Sequence, residues 1–323
     1  MTQELCWTWR GFSVSYRCIQ ASRNGSPSRR AVLCIHGFGA SQGHWRHNLQ
    51  ALSRSASVYA IDLLGFGNSS KPLSCLEGEP LVPGGVRYGF DLWAEQIRDF
   101  CLEVIAAAGD GSGNGGGGVE LQLIGNSIGG VVALNATRLL QASGHPPRQV
   151  ILIDCAQREL DLKRLDTQPW SARLGRPLLM ALVRQRWLIN SLFQVLARPA
   201  FVRGVLRQAY PSGGNVDHEL INLLVTPSQQ PGATESFRGF VNLFNDWLAP
   251  QLLEQLQVPV RMLWGGADPW EPVAEAQRWQ QNHPCIQELQ VLEGLGHCPH
   301  DEAPERVNPI LLSWLEQAWS AGT

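Results

Sequence analysis

The sequence predicts an α/β protein: a mostly parallel sheet flanked by helices, with a helical segment inserted between two of its strands. Three observations predict it. Short apolar runs of strand length recur between helix-compatible stretches. The pentapeptide Gly125-Asn126-Ser127-Ile128-Gly129 sits where the apolar run Val119 to Ile124 meets the helix-compatible stretch Val131 to Leu140. The strand rhythm then stops between Asp154 and Val258. A chain of 323 residues, 44% hydrophobic, is ample for one large core.

Cys6 to Tyr16 alternates like a strand, and Trp7 to Gln20 reads as an opening hairpin, with a polar turn from Arg23 to Arg30 before the buried strand Ala31 to Ile35. That strand runs into His36-Gly37-Phe38-Gly39. Ser57 to Ile61 is the next strand and ends at Asp62. Leu92, Ile97, Phe100, Cys101, Val104 and Ile105 recur at helical spacing, so Phe90 to Ala108 is an amphipathic helix. Gly109 to Gly118 holds seven glycines in ten residues. A phosphate cradle would need Lys-Ser or Lys-Thr after it; none follows, so the run reads as a connector. Val150 to Ile153 is a strand ending at Asp154. About a hundred residues of helical periodicity follow, punctuated by Pro169, Pro177, Pro199, Pro211 and Pro227. Val258 to Trp264 then reads as a strand ending in Gly265-Gly266-Ala267-Asp268, and after one more strand comes Gly294-Leu295-Gly296-His297. The expected organisation is a core from 1–154 and 251–323 around a helical cap at 155–250.

Gly-x-Ser-x-Gly on a strand-to-helix turn is a nucleophile elbow: the turn is so tight that the residues two before and two after the serine must be nearly free of side chain, and it lifts the Ser127 hydroxyl above the sheet. A serine hydroxyl is a poor nucleophile until a base takes its proton, and His297 can take and return protons near neutral pH. Asp268 would hold the imidazole's tautomer and stabilise its cation. Asp154 is the rival for that acid, because a carboxylate at the end of a neighbouring strand could also reach a histidine. The backbone N–H groups of Phe38 and Ile128 are the candidate oxyanion donors. His300 reads as a solvated or capping side chain and His36 as a residue that shapes its loop. His44, His47, His145, His218 and His283 carry no motif. Cys298 adjoins His297, whose partner is already a serine. No cluster has metal-ligand spacing.

The net charge of -2 excludes a generally nucleic-acid-binding surface. The eight cysteines form no C-x-x-C pair and mostly sit in apolar runs, as free thiols in a reducing compartment would. No signal-type apolar region opens the chain and no stretch approaches 18 apolar residues, so the expectation is a protein neither secreted nor membrane-spanning. Charge is unevenly spread. Cys155 to Gln208 carries ten basic residues against three acidic ones, +7, and the remainder is -9. Those arginines are interleaved with Trp170, Leu174, Leu178, Leu182, Trp187 and other apolar residues. Two readings stand open: the segment attaches to an anionic membrane surface, where each basic group adds about 1 kcal/mol, or its apolar residues pack on the core with the arginines as a wet face.

Four segments carry a resemblance: Cys34 to Ser41 (CIHGFGAS), Val58 to Pro72 (VYAIDLLGFGNSSKP), Gly125 to Gly130 (GNSIGG) and Gly294 to Asp301 (GLGHCPHD). The chain order Ser127, Asp268, His297 is that of the α/β-hydrolases, and within them the chain resembles the chlorophyll dephytylases, with the pheophytinases as near relatives. The likeness runs from about Ala31 to Leu315 and includes Ala209 to Asp217 (AYPSGGNVD). It implies an α/β-hydrolase fold with an eight-stranded sheet, and hydrolysis of the phytyl ester of chlorophyll or pheophytin without a cofactor, any magnesium belonging to the substrate. It also implies a place on the cytoplasmic side of the thylakoid membrane, in peripheral contact with the membrane or with pigment-binding proteins through the cap. By motif matching, Ser127, Asp268 and His297 inherit the triad and Phe38 and Ile128 the oxyanion N–H groups. The glycine run departs from the family as an insertion. The lack of a chloroplast transit peptide points to a cyanobacterial protein or a processed chain.

Three other functions fit parts of the pattern. An esterase or lipase for another apolar ester would carry the same triad. Haloalkane dehalogenases and epoxide hydrolases share the fold but carry aspartate where Ser127 stands. A pigment- or hormone-binding receptor on the same scaffold would bind without turnover.

Overall fold

Eight strands form one sheet in the computed structural model, which describes residues 4–23, 26–109 and 118–321. They are β1 (Glu4–Trp9), β2 (Phe12–Ile19), β3 (Arg30–Ile35), β4 (Ser57–Ile61), β5 (Glu120–Asn126), β6 (Gln149–Ile153), β7 (Val260–Gly265) and β8 (Ile286–Leu292). Their spatial order is β1-β2-β4-β3-β5-β6-β7-β8. The β1–β2 and β2–β4 pairs are antiparallel, and every later pair is parallel. The β1–β2 hairpin turns at Arg10-Gly11, both at positive φ, where the backbone twist suits two antiparallel strands.

Helix α1 (Phe90–Phe100) continues through a π-helical turn at Cys101–Ile105 to Gly109, and α2 is Ile128–Ala142. Residues 110–117, most of the glycine run expected to act as a connector, lie outside the described residues. Between β6 and β7 the chain forms α3 (Trp170–Val183), α4 (Arg186–Leu196), α5 (Pro199–Ala209), α6 (His218–Ser228) and α7 (Ala233–Val241). Proline opens α5, where its missing N–H costs nothing, and the Asp217 carboxylate caps α6 by accepting the Leu220 N–H at 2.8 Å. After β7 come α8 (Val273–Asn282) and α9 (Pro304–Ser320).

The central strands are mostly apolar because helices cover both faces, and successive side chains alternate between them. Leu33, Ile35 and Leu123 join Trp93 and Ile97 of α1 and Val131 and Leu134 of α2 in one cluster. Val32, Cys34 and Ile124 join Leu311, Trp314 and Leu315 of α9 on the other side. At roughly 25 cal/mol per Å² of apolar surface removed from water, these two layers supply the main favourable term in folding. All eight cysteines are free thiols. Among the described residues no helix is long and apolar enough to cross a membrane.

The carboxyl ends of β3, β5, β6, β7 and β8 lie along one edge of the sheet, which is where ligands of open parallel sheets bind. The loops after those strands carry His36 to Gly39, Ser127, Asp154, Asp268 and His297.

Candidate active site

Strand β5 ends at Asn126 and α2 begins at Ile128, so Ser127 alone makes the turn, with φ 55° and ψ -123°. A Cβ on Gly125 would collide with the Gly129 carbonyl, and one on Gly129 with the carbonyls of Ile35 and His36. The two glycines are therefore a steric requirement of the elbow. Its backbone is held by Ser127 N–H to Ile153 O (3.0 Å) and Ala156 N–H to Ser127 O (3.1 Å), and the Asn126 amide ties the elbow to His297 O at 3.1 Å.

The loop after β3 lies directly over the elbow: a Cβ built on Gly37 would stand 3.1 Å from the Cβ of Ser127. Phe38 and Ile128 both line the cavity that contains Ser127. Ile128 is the first residue of α2, so no helical acceptor precedes its N–H, and the positive end of the helix faces the site. His36 is buried beneath this loop. Its Nδ1 lies 2.7 Å from Gly37 O, its Nε2 accepts the Leu63 N–H at 3.1 Å, and burial lowers its pKa to about 4. It is a neutral structural side chain, as its sequence context suggested.

His297 Nδ1 lies 2.7 Å from Asp268 Oδ2. The other oxygen of Asp268 accepts the N–H groups of Trp270 (2.8 Å) and Glu271 (3.2 Å), so the turn at Pro269 aims the carboxylate. Burial acts to raise the Asp268 pKa, but the hydrogen bond and charge of His297, with the Trp270 N–H and Asp154, hold it below the usual value. Trp270 meets the imidazole edge-on, with ring centroids 4.9 Å apart. No hydrogen bond joins Ser127 to His297 among the described residues; nucleophile–base contacts are often long before substrate tightens them.

Asp154 also reaches the site. It is fully buried at a left-handed φ of 43°, and its Oδ1 accepts the Gly265 N–H at 2.9 Å. One ligand-type atom from each of Asp154, Asp268 and His297 falls within 4.8 Å of the others. Burial and the adjacent charge of Asp268 push the Asp154 carboxyl well above the carboxylate range.

A cavity of about 670 Å³ extends from Ser127 and His297. Its walls include Phe38 and Ile128 below and Leu179, Val183, Val205 and Phe244 above. Phe38 stacks on Phe240 of α7 with centroids 4.0 Å apart, joining the loop to the helical insertion. Sequence reasoning passed over two polar residues of this wall. His44 Nε2 lies 2.7 Å from the Tyr210 hydroxyl, which donates to Asp301 Oδ2 at 3.0 Å, and Arg46 closes the chain on Asp301 Oδ1 at 3.0 Å. The only sequence signal was Tyr210 within Ala209 to Asp217. His300 corrects an expectation: it is wholly buried, not solvated, its ring 4.4 Å from Trp45 and 4.7 Å from His44, and burial keeps it neutral. Burial likewise holds Cys298 as a thiol, which is not the nucleophilic form.

Residues 32–310 match the model of the alpha/beta hydrolase family, and the chain belongs to that family. It has the α/β-hydrolase fold, with Ser127 on the turn between β5 and α2. It is 27% identical over 320 residues to the chloroplastic pheophytinase of Arabidopsis thaliana, covering 90% of this chain. The chain spans 62% of that enzyme's length. It is 24% identical over 313 residues to the (lyso)-N-acylphosphatidylethanolamine lipase of Bos taurus, covering 88% of this chain and 78% of the lipase. Among solved structures, the epoxide hydrolase CorEH superposes with a TM-score of 0.71 at 17% identity, over 98% of this chain and 99% of that one, a likeness of fold.

Proposed function

We propose that the protein is a serine carboxylic-ester hydrolase that removes phytol from chlorophyll a, pheophytin a or both. The observation that carries the reading is the joining of a serine elbow and a carboxylate-held histidine to a large, mostly apolar cavity. Phytol is a long branched hydrocarbon whose only polar handle is its ester oxygen, and an apolar groove of this size suits it. The likeness to the plant pheophytinase supports that substrate. In this reading residues 155–250 act as a cap over a core made from 1–154 and 251–323.

Ser127 Oγ attacks the propionate carbonyl of the macrocycle side chain while His297 takes the hydroxyl proton, with Asp268 stabilising the imidazolium. The N–H groups of Phe38 and Ile128 receive the oxyanion; removing one such donor typically costs about a hundred- to a thousand-fold in rate. The tetrahedral intermediate collapses as His297 protonates the departing phytol oxygen, leaving the macrocycle esterified to Ser127. Water, deprotonated by His297, releases the pigment acid and restores the serine.

Chromatography of chlorophyll a and pheophytin a, each incubated with the protein in detergent beside Ser127→Ala, tests the reading. Phytol-free pigment from the wild type alone supports it, and the ratio of rates ranks the two pigments. The likeness to the bovine lipase favours one second reading, an esterase for another apolar ester. Cleavage of acyl esters with both pigments untouched would select it.

A further inference from the structure

The apolar residues of the inserted helices do not all pack inward. Trp170, Leu174, Leu178 and Leu182 recur every fourth position along α3 and are 74%, 72%, 65% and 42% exposed. Trp187 and Val195 of α4, eight positions apart, are also exposed. Helix α3 packs beside α4, and α4 beside α5. Leu179 and Val183 turn instead to the cavity, so α3 meets the rest of the protein through other positions and leaves this stripe uncovered. Packing on the core, one of the two readings open from sequence, therefore does not account for these residues.

Between Trp170 and Ala209 the chain carries seven arginines and no acidic residue. From Cys155 to Gln208 ion pairs engage Arg158, Arg164 and Arg186. Arg173, Arg184, Arg198, Arg203 and Arg207 are exposed and have no carboxylate within ion-pair distance among the described residues. Apolar rows on helices whose only charged residues are arginines complement a surface that is apolar inside and anionic at its face. Monomeric proteins rarely leave such patches without a partner.

We infer that the outer face of α3 and α4 docks on an anionic lipid bilayer, its leucines and tryptophans in the headgroup–acyl boundary and its arginines on lipid phosphates. The cavity reaches the surface at Leu160, 59% exposed, and Leu179, the next residue after Leu178 of the stripe. A docked molecule thus presents the mouth of its cavity to the membrane, and a lipid-borne ester enters without crossing water. The access route rests on the function proposed above; the docking does not.

Co-sedimentation of the full chain with phosphatidylcholine vesicles, with and without phosphatidylglycerol, tests this, beside light scattering for oligomeric state. The wild type should bind the phosphatidylglycerol vesicles, less as salt rises, and Ser127→Ala should bind equally. The double variant Leu174→Ser/Leu178→Ser should bind about ten-fold more weakly or worse while cleaving a short soluble ester at the wild-type rate. Arg173→Gln/Arg184→Gln, which changes no apolar residue, should weaken binding to the anionic vesicles alone. The inference is overturned if neither vesicle binds the wild type, if both double variants bind as the wild type does, or if the stripe proves to be the interface of a dimer that Leu174→Ser/Leu178→Ser dissociates. Binding without hydrolysis of any ester would sink the proposed function and leave the docking intact.

Discussion

His297 Nδ1 stands 2.7 Å from Asp268 Oδ2, while the rival acid Asp154 spends one oxygen on the Gly265 N–H and is pushed well above the carboxylate range by burial and by the charge of Asp268. Asp268→Asn should therefore lower kcat by about 10⁴, the cost of presenting the wrong imidazole tautomer. Asp154→Asn leaves the Asp268–His297 contact in place and keeps an oxygen for the Gly265 N–H, and should stay within about ten-fold of wild type. Steady-state kinetics on a soluble ester checks both. The reverse ranking would make Asp154 the acid.

Gly129→Ala should disrupt the elbow, since the added methyl has to displace the carbonyls of Ile35 and His36. Overpacking of this kind costs about 1–3 kcal/mol, and a nucleophile moved by about 1 Å loses about a hundred-fold in rate. Thermal unfolding and kcat/KM, measured together, should both fall.

Glu271 supplies a pH signature. Its carboxyl is largely buried and accepts the Gln157 N–H at 2.8 Å, and burial raises its pKa from 4.5 to about 8. The folded state binds this proton more tightly than the unfolded chain, so the stabilisation is complete below about 4.5 and is lost as pH rises through about 8. Glu271→Gln, which cannot ionise, should unfold at the wild-type temperature at pH 4 and above it at pH 9, where it is more stable than the wild type by roughly 5 kcal/mol, at about 1.4 kcal/mol for each pKa unit. Equal shifts at both pH values would contradict the assignment.

Val183 faces the cavity from α3. Val183→Trp should narrow the apolar groove and cut kcat/KM for long-chain esters by about ten-fold or more, since each methylene of fit is worth about 1–3 kcal/mol. Acetate esters, which need only Ser127 and its surroundings, should change little. A nitrophenyl ester series of increasing chain length reads the difference directly.

The sheet was legible because a strand covered on both faces must be mostly apolar, and Ala31 to Ile35 and Val150 to Ile153 are wholly so. The elbow was legible because its glycines answer a local steric demand. Asp268 and Asp154 were harder to separate, since both follow adjacent parallel strands. What distinguishes them is the turn at Pro269, which puts two N–H groups on one Asp268 oxygen and leaves the other for His297. His300 was misread because its burial comes from Trp45, more than 250 residues away in the chain. The contact between His44 and Tyr210 spans 166 positions and has no local signal. The cap pattern marked its helices as amphipathic, but amphipathicity alone does not say which apolar face meets protein and which is left bare.

The central claim, a serine nucleophile activated by His297, is tested most directly by a fluorophosphonate that forms a stable phosphonyl ester with an activated serine. Mass spectrometry of the labelled protein should show one adduct, on the peptide containing Ser127, absent from Ser127→Ala and formed at least about a hundred-fold more slowly by His297→Gln. An unlabelled wild-type protein, or an adduct on another residue such as Ser41 or Cys298, would contradict it.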